Sequence, residues 1–441
     1  MQLRPALRTL TMCASISISA QAFAGVDLQS FEVIAGGARV SPLVFTTVGA
    51  QGAPGLEAGP GATVAWPVAA NQRLLNTLPA SIQINFPDRP LVTLSRISSE
   101  RRGGNRLFWL GTGGDCDGIF RIGFTGFKGT ISCATGQYGI DHALGTNSLR
   151  LTRYDNSGTG INSEPAPGLP VVSMPVTPDT AVGALVDQTV DVLVLFNGSM
   201  TSVNIYDTAQ DIVDQIRSAM LLSKNPTDTL PPADVRLAGT ARISRTVPND
   251  PAGDLGALPN DPEVLALRNY WAADAVIYIT TGTGPVQGIA YVPQDDGAPP
   301  PGASFAPLAF AVSLGAYATN PGDYVAAHEF AHTFGANHNP DHLPLNDTPV
   351  RPYAFGHWAK QPGEDVPVGY RTIMSYLQEC YAVVQPCSRI LRYSNPNVIY
   401  GGWFHTGIAN QRDNARLIKD IAPTEALYRH GVGRIFADGF Q

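Results

Sequence analysis

Charged side chains are scarce: Asp, Glu, Lys and Arg together make up 15% of the 441 residues. The balance is mildly acidic, at −7 with histidines neutral, and no Lys/Arg run occurs. A nucleic-acid partner is therefore not expected, because neutralising phosphates takes clustered cations. Past the N-terminus no stretch approaches the ~20 apolar residues of a membrane-spanning helix, so no membrane partner is expected either. Cysteine is rare, five in all, with none between Cys133 and Cys380. The stretch 155–186 has no Lys or Arg, which leaves no site there for a trypsin-like or dibasic-specific protease. Gly and Pro, by contrast, are abundant at 45 and 36 residues, as in a loop-rich exported chain.

Export has a direct signal. Arg4 and Arg8 precede an apolar, small-residue stretch from Leu10 to Ala20, and Ala22-Phe23-Ala24 follows. This order reads as a secretory signal peptide, residues 1–24, cleaved near Ala24, with the remainder secreted to the periplasm or beyond. Bulky Met12 before Cys13 argues against a lipid anchor. With Cys13 removed, four cysteines remain in two local pairs, Cys116 with Cys133 and Cys380 with Cys387. In an oxidising compartment they read as disulfides. The competing use, metal binding, would need zinc-ribbon spacing or a nearby Cys or His, and neither pair has one.

Residues 25–153 read as a β-rich domain of short, often alternating runs: Ala62 to Val68, Ile82 to Phe86, Leu91 to Ile97, Leu107 to Leu110, Ile119 to Phe124 and Gly129 to Cys133. Residues 154–186 form a Pro/Gly-rich linker. From Val190 strands and helices alternate, which implies an α/β domain with a mostly parallel sheet over 187–430. Its expected strands are Val190 to Phe196, Asp234 to Val247, Ala275 to Thr280 and Phe305 to Leu314. Tyr206 to Leu222 carries a helical apolar stripe, and Asp261-Pro262 opens a helix to about Trp271. Residues 431–441 read as an exposed tail.

The densest chemistry lies between His328 and His338. His328 and His332 sit four apart, so on a helix both imidazoles leave one face, about 40° apart. Glu329 points about 60° from His332, within reach of a water held between the two rings. Gly335 permits the left-handed turn that ends a helix, and the reversed chain can return His338 as a third ligand. Three neutral imidazoles with one open position describe a catalytic zinc site. Zinc makes a water acidic near neutral pH, and Glu329 can take its proton as general base. Asn320 is expected to cap the helix, with Pro321 in its first turn and Asp323 complementing its dipole. The rival reading, ordinary histidines on an amphipathic helix, has to explain four of the chain's eight histidines within 328–342.

The eleven-residue pattern His328-Glu329-Phe330-Ala331-His332-Thr333-Phe334-Gly335-Ala336-Asn337-His338 resembles the signature of metzincin zinc metallopeptidases. Thr372-Ile373-Met374-Ser375-Tyr376 resembles that family's methionine turn, centred on Met374. In organisation the resemblance covers residues 187 to 430 and is nearest to secreted bacterial reprolysin-like (adamalysin-like) members. It implies a metzincin-type catalytic domain: a twisted, mostly parallel sheet and a zinc helix, preceded by an all-β propeptide. It implies one zinc, protein or peptide substrates, and the chain's own propeptide as inhibitor. Gly288-Ile289-Ala290-Tyr291-Val292 is similar to the edge strand on which metzincins hold substrate. Tyr376 lies where astacin-like and serralysin-like members carry a movable extra ligand that stabilises the oxyanion; the alternative is an aromatic packed beneath the site. Asn339 stands where reprolysins carry Asp. The propeptide cysteine by which matrixins silence zinc has no counterpart close to the domain, so latency is expected without a thiolate.

The remaining candidates have cheaper readings. His142, His342, His357 and His405 default to structural roles. Asn249, Asp250, Asp254, Asn260 and Asp261 could hold calcium, but turn chemistry explains them as well. Two other functions stay open: a binding module that keeps the metal without turnover, and a zinc hydrolase acting on a non-peptide bond.

Overall fold

The computed structural model describes residues 33–35, 38–40, 44–46, 60–142, 148–155, 189–244, 250–282, 286–293, 303–340, 349–360, 369–384, 387–402 and 404–429. The expected signal peptide, nearly all of the linker, the tail, Asn249 and His342 lie outside them. Val33–Ala35 (β1) and Ala38–Val40 (β2) pair antiparallel within a separate N-terminal unit, Met1–Ser41. Pro42–Gln441 is the second unit.

The second unit begins with nine strands closed into a barrel: β3 (Val44–Thr46), β4 (Ala62–Ala70), β5 (Ser81–Ile84), β6 (Val92–Arg102), β7 (Arg106–Gly113), β8 (Cys116–Gly123), β9 (Gly126–Cys133), β10 (Gly136–His142) and β11 (Leu149–Tyr154). One short helix, α1 (Gln72–Asn76), interrupts them. Strand alternation sorts their side chains. Leu107, Trp109, Phe120, Phe127, Ile131 and Tyr138 fill the barrel, while Phe108, Leu110 and Ile119 point outward. Cys116 sits directly across from Cys133, and the disulfide joins β8 to β9. The strands β10 and β11 fall within the region expected to be β-rich, though neither stands out as a run; in β10 the residues Gly136, Gln137 and Gly139 hide the alternation.

The α/β lobe follows with β12 (Thr189–Asn197), α2 (Ile205–Leu222), β13 (Asp234–Ile243), α3 (Pro251–Ala257), α4 (Pro262–Tyr270), β14 (Ala275–Thr280), β15 (Gly288–Ala290) and β16 (Phe310–Leu314). The sheet order is β13-β12-β14-β16-β15; every pairing is parallel except that of β15, which closes one edge antiparallel. β14 and β16 are buried along their whole length, as strands covered on both faces must be. Three expectations need correction. Phe305 does not begin a strand: residues 303–308 form a 3₁₀ turn containing Pro307, which has no N–H for a ladder. The strand from Asp234 ends at Ile243. Asn320 is not the helix cap, since its amide donates to Asp323 and to Pro60 O.

After the short α5 (Gly315–Ala318), helix α6 runs Val325–Thr333, and its cap is Tyr324 at φ +50. This is a left-handed backbone that costs a bulky residue on the order of 1–3 kcal/mol. Beyond α6, β17 (Trp358–Lys360), β18 (Gly369–Arg371) and β19 (Cys387–Arg389) form a small sheet, α7 (Leu377–Val383) is stapled to it by Cys380–Cys387, and α8 (Asn414–Glu425) ends the described chain. Asp250 and Asp261 of the conjectured calcium loop cap α3 and α4.

Glu425 on α8 is fully buried and accepts from Thr333 Oγ1 at 2.9 Å, tying α8 to α6. Burial pushes its carboxyl up to about 8. The folded protein then holds a proton that the unfolded chain gives up near 4.5, so this contribution to stability is present at low pH and is lost as pH rises through about 8. Glu425→Gln removes that dependence. Its thermal midpoint should exceed the wild type's by several degrees near pH 8.5, with the gap closing toward pH 5. Equal midpoints at the higher pH would show that ionising Glu425 costs the fold nothing, so that burial does not raise its carboxyl.

Candidate active site

Helix α6 is buried on every face, with His328 at 1%, Glu329 at 2% and His332 at 2% exposure. His328 Nδ1 lies 2.8 Å from Ile373 O, and His332 Nδ1 lies 2.7 Å from Ala336 O. A carbonyl only accepts, so both rings carry the proton on Nδ1 and turn the Nε2 lone pair inward. His338 Nε2 meets those atoms at 3.0 Å and 3.1 Å. Lone pairs facing at that distance repel unless a cation lies between them. Nitrogens bound tetrahedrally at ~2.05 Å would stand ~3.3 Å apart, close to what is seen. The donor set fits zinc, and the three ligand atoms lie within 4.8 Å of one another. Burial, and after it the neighbouring imidazoles, holds His328 well below its ordinary value; burial takes His332 down to about 4. Both rings are thus the neutral form that a metal needs.

Local backbone explains how His338 arrives. Gly335 takes φ +90, and a Cβ there would meet Val350 at 2.8 Å. Asn337 then pairs with the 354–356 segment through Asn337 N→Ala354 O (2.8 Å) and Gly356 N→Asn337 O (2.9 Å), which fixes the reversed chain. Tyr376 stacks on the His338 ring at 4.1 Å between centroids. Met374 is fully buried one residue after Ile373, whose carbonyl orients His328. The methionine turn presses on Gly356, where a Cβ would come within 2.7 Å of Met374 backbone. That glycine carried no recognisable signal in sequence.

Asn339 is buried and joins three pieces. Its Oδ1 accepts from Tyr376 N at 2.8 Å and Ser375 Oγ at 3.4 Å, and its Nδ2 donates to Glu379 Oε2 at 3.1 Å. An Asp here would set two carboxylates against each other, which gives the departure from the reprolysin pattern a physical reason. The odd residue was visible in sequence; its partner Glu379 was not.

Glu329 faces the antiparallel edge of the sheet. A Cβ on Gly288 would come within 2.6 Å of Glu329 Cγ and 2.7 Å of its Oε1, so β15 lies directly against the carboxylate. Ile289 and Ala290 continue that strand, and Tyr291 bonds backward to Phe310 O and Leu255 O. His357 is buried beside the methionine turn, its backbone N–H and C=O both bonded to the Thr372 hydroxyl, and is held at about 4 by burial and then by Arg412. His405 gives its carbonyl to Tyr370. Neither histidine joins the triad, and His142 lies on the barrel strand β10.

A helix bearing two histidines, a third beyond a glycine, a methionine turn and an antiparallel edge strand is the arrangement that the sequence pattern leads one to expect of a metzincin-like site. Residues 186–383 match the family model Reprolysin_5, described as metallo-peptidase family M12. The chain is 35% identical over 109 residues to a peptidyl-Asp metalloendopeptidase of Stenotrophomonas maltophilia, covering 24% of this chain and 23% of that one. It is 33% identical over 108 residues to a protein of the same description from Xanthomonas campestris pv. campestris, covering 24% and 22%. The aligned region thus spans under a quarter of these relatives' length. Among solved structures, metalloproteinase-II from Bacteroides fragilis aligns with 58% of this chain and 81% of its own, at 15% identity and TM-score 0.36.

Two outcomes follow from this geometry. Because the two helix imidazoles stay neutral well below their ordinary range, zinc should be retained on mild acidification and lost only below about pH 5. Release centred near pH 6.5, read by elemental analysis after dialysis, would contradict it. Gly288→Ala should keep zinc yet lower kcat at least ~10-fold, because the added methyl displaces Glu329. Unchanged kcat would show that the carboxylate tolerates the shift.

Proposed function

We propose that this chain is an exported zinc-dependent endopeptidase. The observation that carries the reading is the convergence of His328, His332 and His338 Nε2 beside Glu329, itself set against the edge strand β15. Bound to these nitrogens, zinc would supply Lewis acidity toward water and the scissile carbonyl. Glu329 takes the proton of the attacking water and delivers it to the departing amine. Substrate lies extended along Gly288 to Tyr291, where backbone hydrogen bonds add it as a strand to the sheet edge. This placement favours a peptide over a non-peptide substrate, and Glu329 in place favours turnover over silent binding. The names of the relatives make an aspartyl bond the first one to assay. For Tyr376, the stack on His338 supports packing rather than an oxyanion role.

On the sequence boundaries, residues 1–24 leave as the signal, 25–153 are the propeptide domain, 154–186 the linker, 187–430 the catalytic domain and 431–441 the tail. Latency, exerted by the N-terminal part, uses no thiolate, since Cys116 and Cys133 are joined to each other.

Glu329→Ala should retain one zinc and lose about 10²–10⁴-fold in peptidase rate. Near-normal kcat would place the base elsewhere. Tyr376→Phe should keep zinc and most of the rate; a loss of ~10²-fold or more with zinc retained would restore the oxyanion role. A mercurial should fail to activate the unprocessed protein, and activation would reveal a thiolate–zinc bond.

A further inference from the structure

Helix α2 has two faces. Its apolar stripe, Ala209, Ile212, Val213, Ile216, Ala219 and Met220, joins the core of the α/β lobe. The other face carries Asp207, Asp211 and Asp214, spaced as on a solvated helix, yet they are 6%, 8% and 0% exposed. The barrel covers them, group for group. Asp207 accepts from Phe124 N and Thr125 N at 2.9 Å and 2.6 Å. Asp211 meets Arg121 at 3.1 Å and Lys128 at 2.9 Å. Asp214 is held bidentate by Arg102 at 2.6 Å and 2.9 Å. The exchange also runs the other way, since barrel Asp117 is held bidentate by Arg392 at 2.6 Å and 3.1 Å. Between these pairs the outward-pointing Phe108, Leu110 and Ile119 belong to the same apolar cluster as β12, β14 and α6. One hydrophobic core therefore spans both pieces, which is how an obligate interface is built and not a transient one.

The position of this contact matters as much as its quality. α2 packs on β13, and barrel residues Glu100, Arg102 and Arg106 share a cavity with Asp234, Val235 and Leu237 of β13. β13 is one end of the sheet and β15, against Glu329, is the other. Four strand spacings separate them, about 19 Å. The barrel also reaches the start of the metal helix: Tyr324 OH donates to Gln137 Oε1 at 3.2 Å, and this buried contact holds the residue whose backbone is at φ +50.

We propose that the barrel, β3 to β11, is a permanent subunit of the metallopeptidase. After the chain is cut between Asp155 and Thr189 it stays docked on α2, and release from latency does not require its departure. The proposal concerns association and can be read without peptidase activity, so it stands or falls apart from the assigned reaction. A recognition sequence for a site-specific protease, placed between Asp155 and Thr189 of the Glu329→Ala chain, allows a defined cut without self-digestion. The two fragments should co-elute on size exclusion at physiological salt and at ~1 M salt, because the apolar contact is insensitive to screening. They should separate only in denaturant. In the cut protein, Arg102→Ala with Arg392→Ala leaves two buried carboxylates unpaired and should weaken association by about 10²-fold or more. Leu110→Ala, which leaves the interior of the barrel untouched, should weaken it by a smaller factor. Separation of the unsubstituted fragments without denaturant would overturn the proposal, as would co-elution indifferent to all three substitutions.

Discussion

Two backbone carbonyls, those of Ile373 and Ala336, decide which nitrogen of His328 and His332 faces the third imidazole. Each fixes a proton on Nδ1, so both Nε2 lone pairs turn toward His338, an arrangement that a cation would satisfy. Everything near the site bears on where those carbonyls lie. Ile373 belongs to the methionine turn, which rests on Gly356; Ala336 follows the left-handed Gly335, itself backed by Val350. Asn339 then ties the end of the loop back to the same turn. The ligand set is consequently a closed circuit of hydrogen bonds that holds buried histidine rings in place.

Sequence carried the site further than it carried the fold around it. The spacing of His328, His332, Gly335 and His338 is dictated by helix geometry and a left-handed stop, so it reads directly. Asn320 misled because Asn-Pro-Gly-Asp has the chemistry of a helix start, whereas its side chains bond to each other and to Pro60, leaving Tyr324 to begin the helix. The stretch from Phe305 misled because its apolar residues serve a 3₁₀ turn first and a strand second. Gly356 and Glu379 were illegible for another reason: each matters through a neighbour that only the tertiary structure supplies.

The barrel poses the same difficulty on a larger scale. A strand buried on both faces looks in sequence like a core strand of one domain, and nothing in Leu107-Phe108-Trp109-Leu110 tells which face belongs to which core. The aspartates of α2 are the complementary case. Their spacing reads as a wet helix face, and only the cations of β6, β8 and β9 reveal it as a dry one.

That division of a single strand between two cores has a consequence for how the protein can vary. Trp109 answers to Phe120 and to Pro79 O inside the barrel, so exchanges there concern the barrel alone. Phe108 and Leu110, on the same strand, answer to the α/β lobe, and Arg102 to an aspartate more than a hundred positions away. Alternate positions along one strand are therefore expected to drift under separate histories, one set changing with the barrel and the other in step with α2. A graft of the α/β lobe onto a foreign N-terminal domain would lose the first set without harm and fail for want of the second.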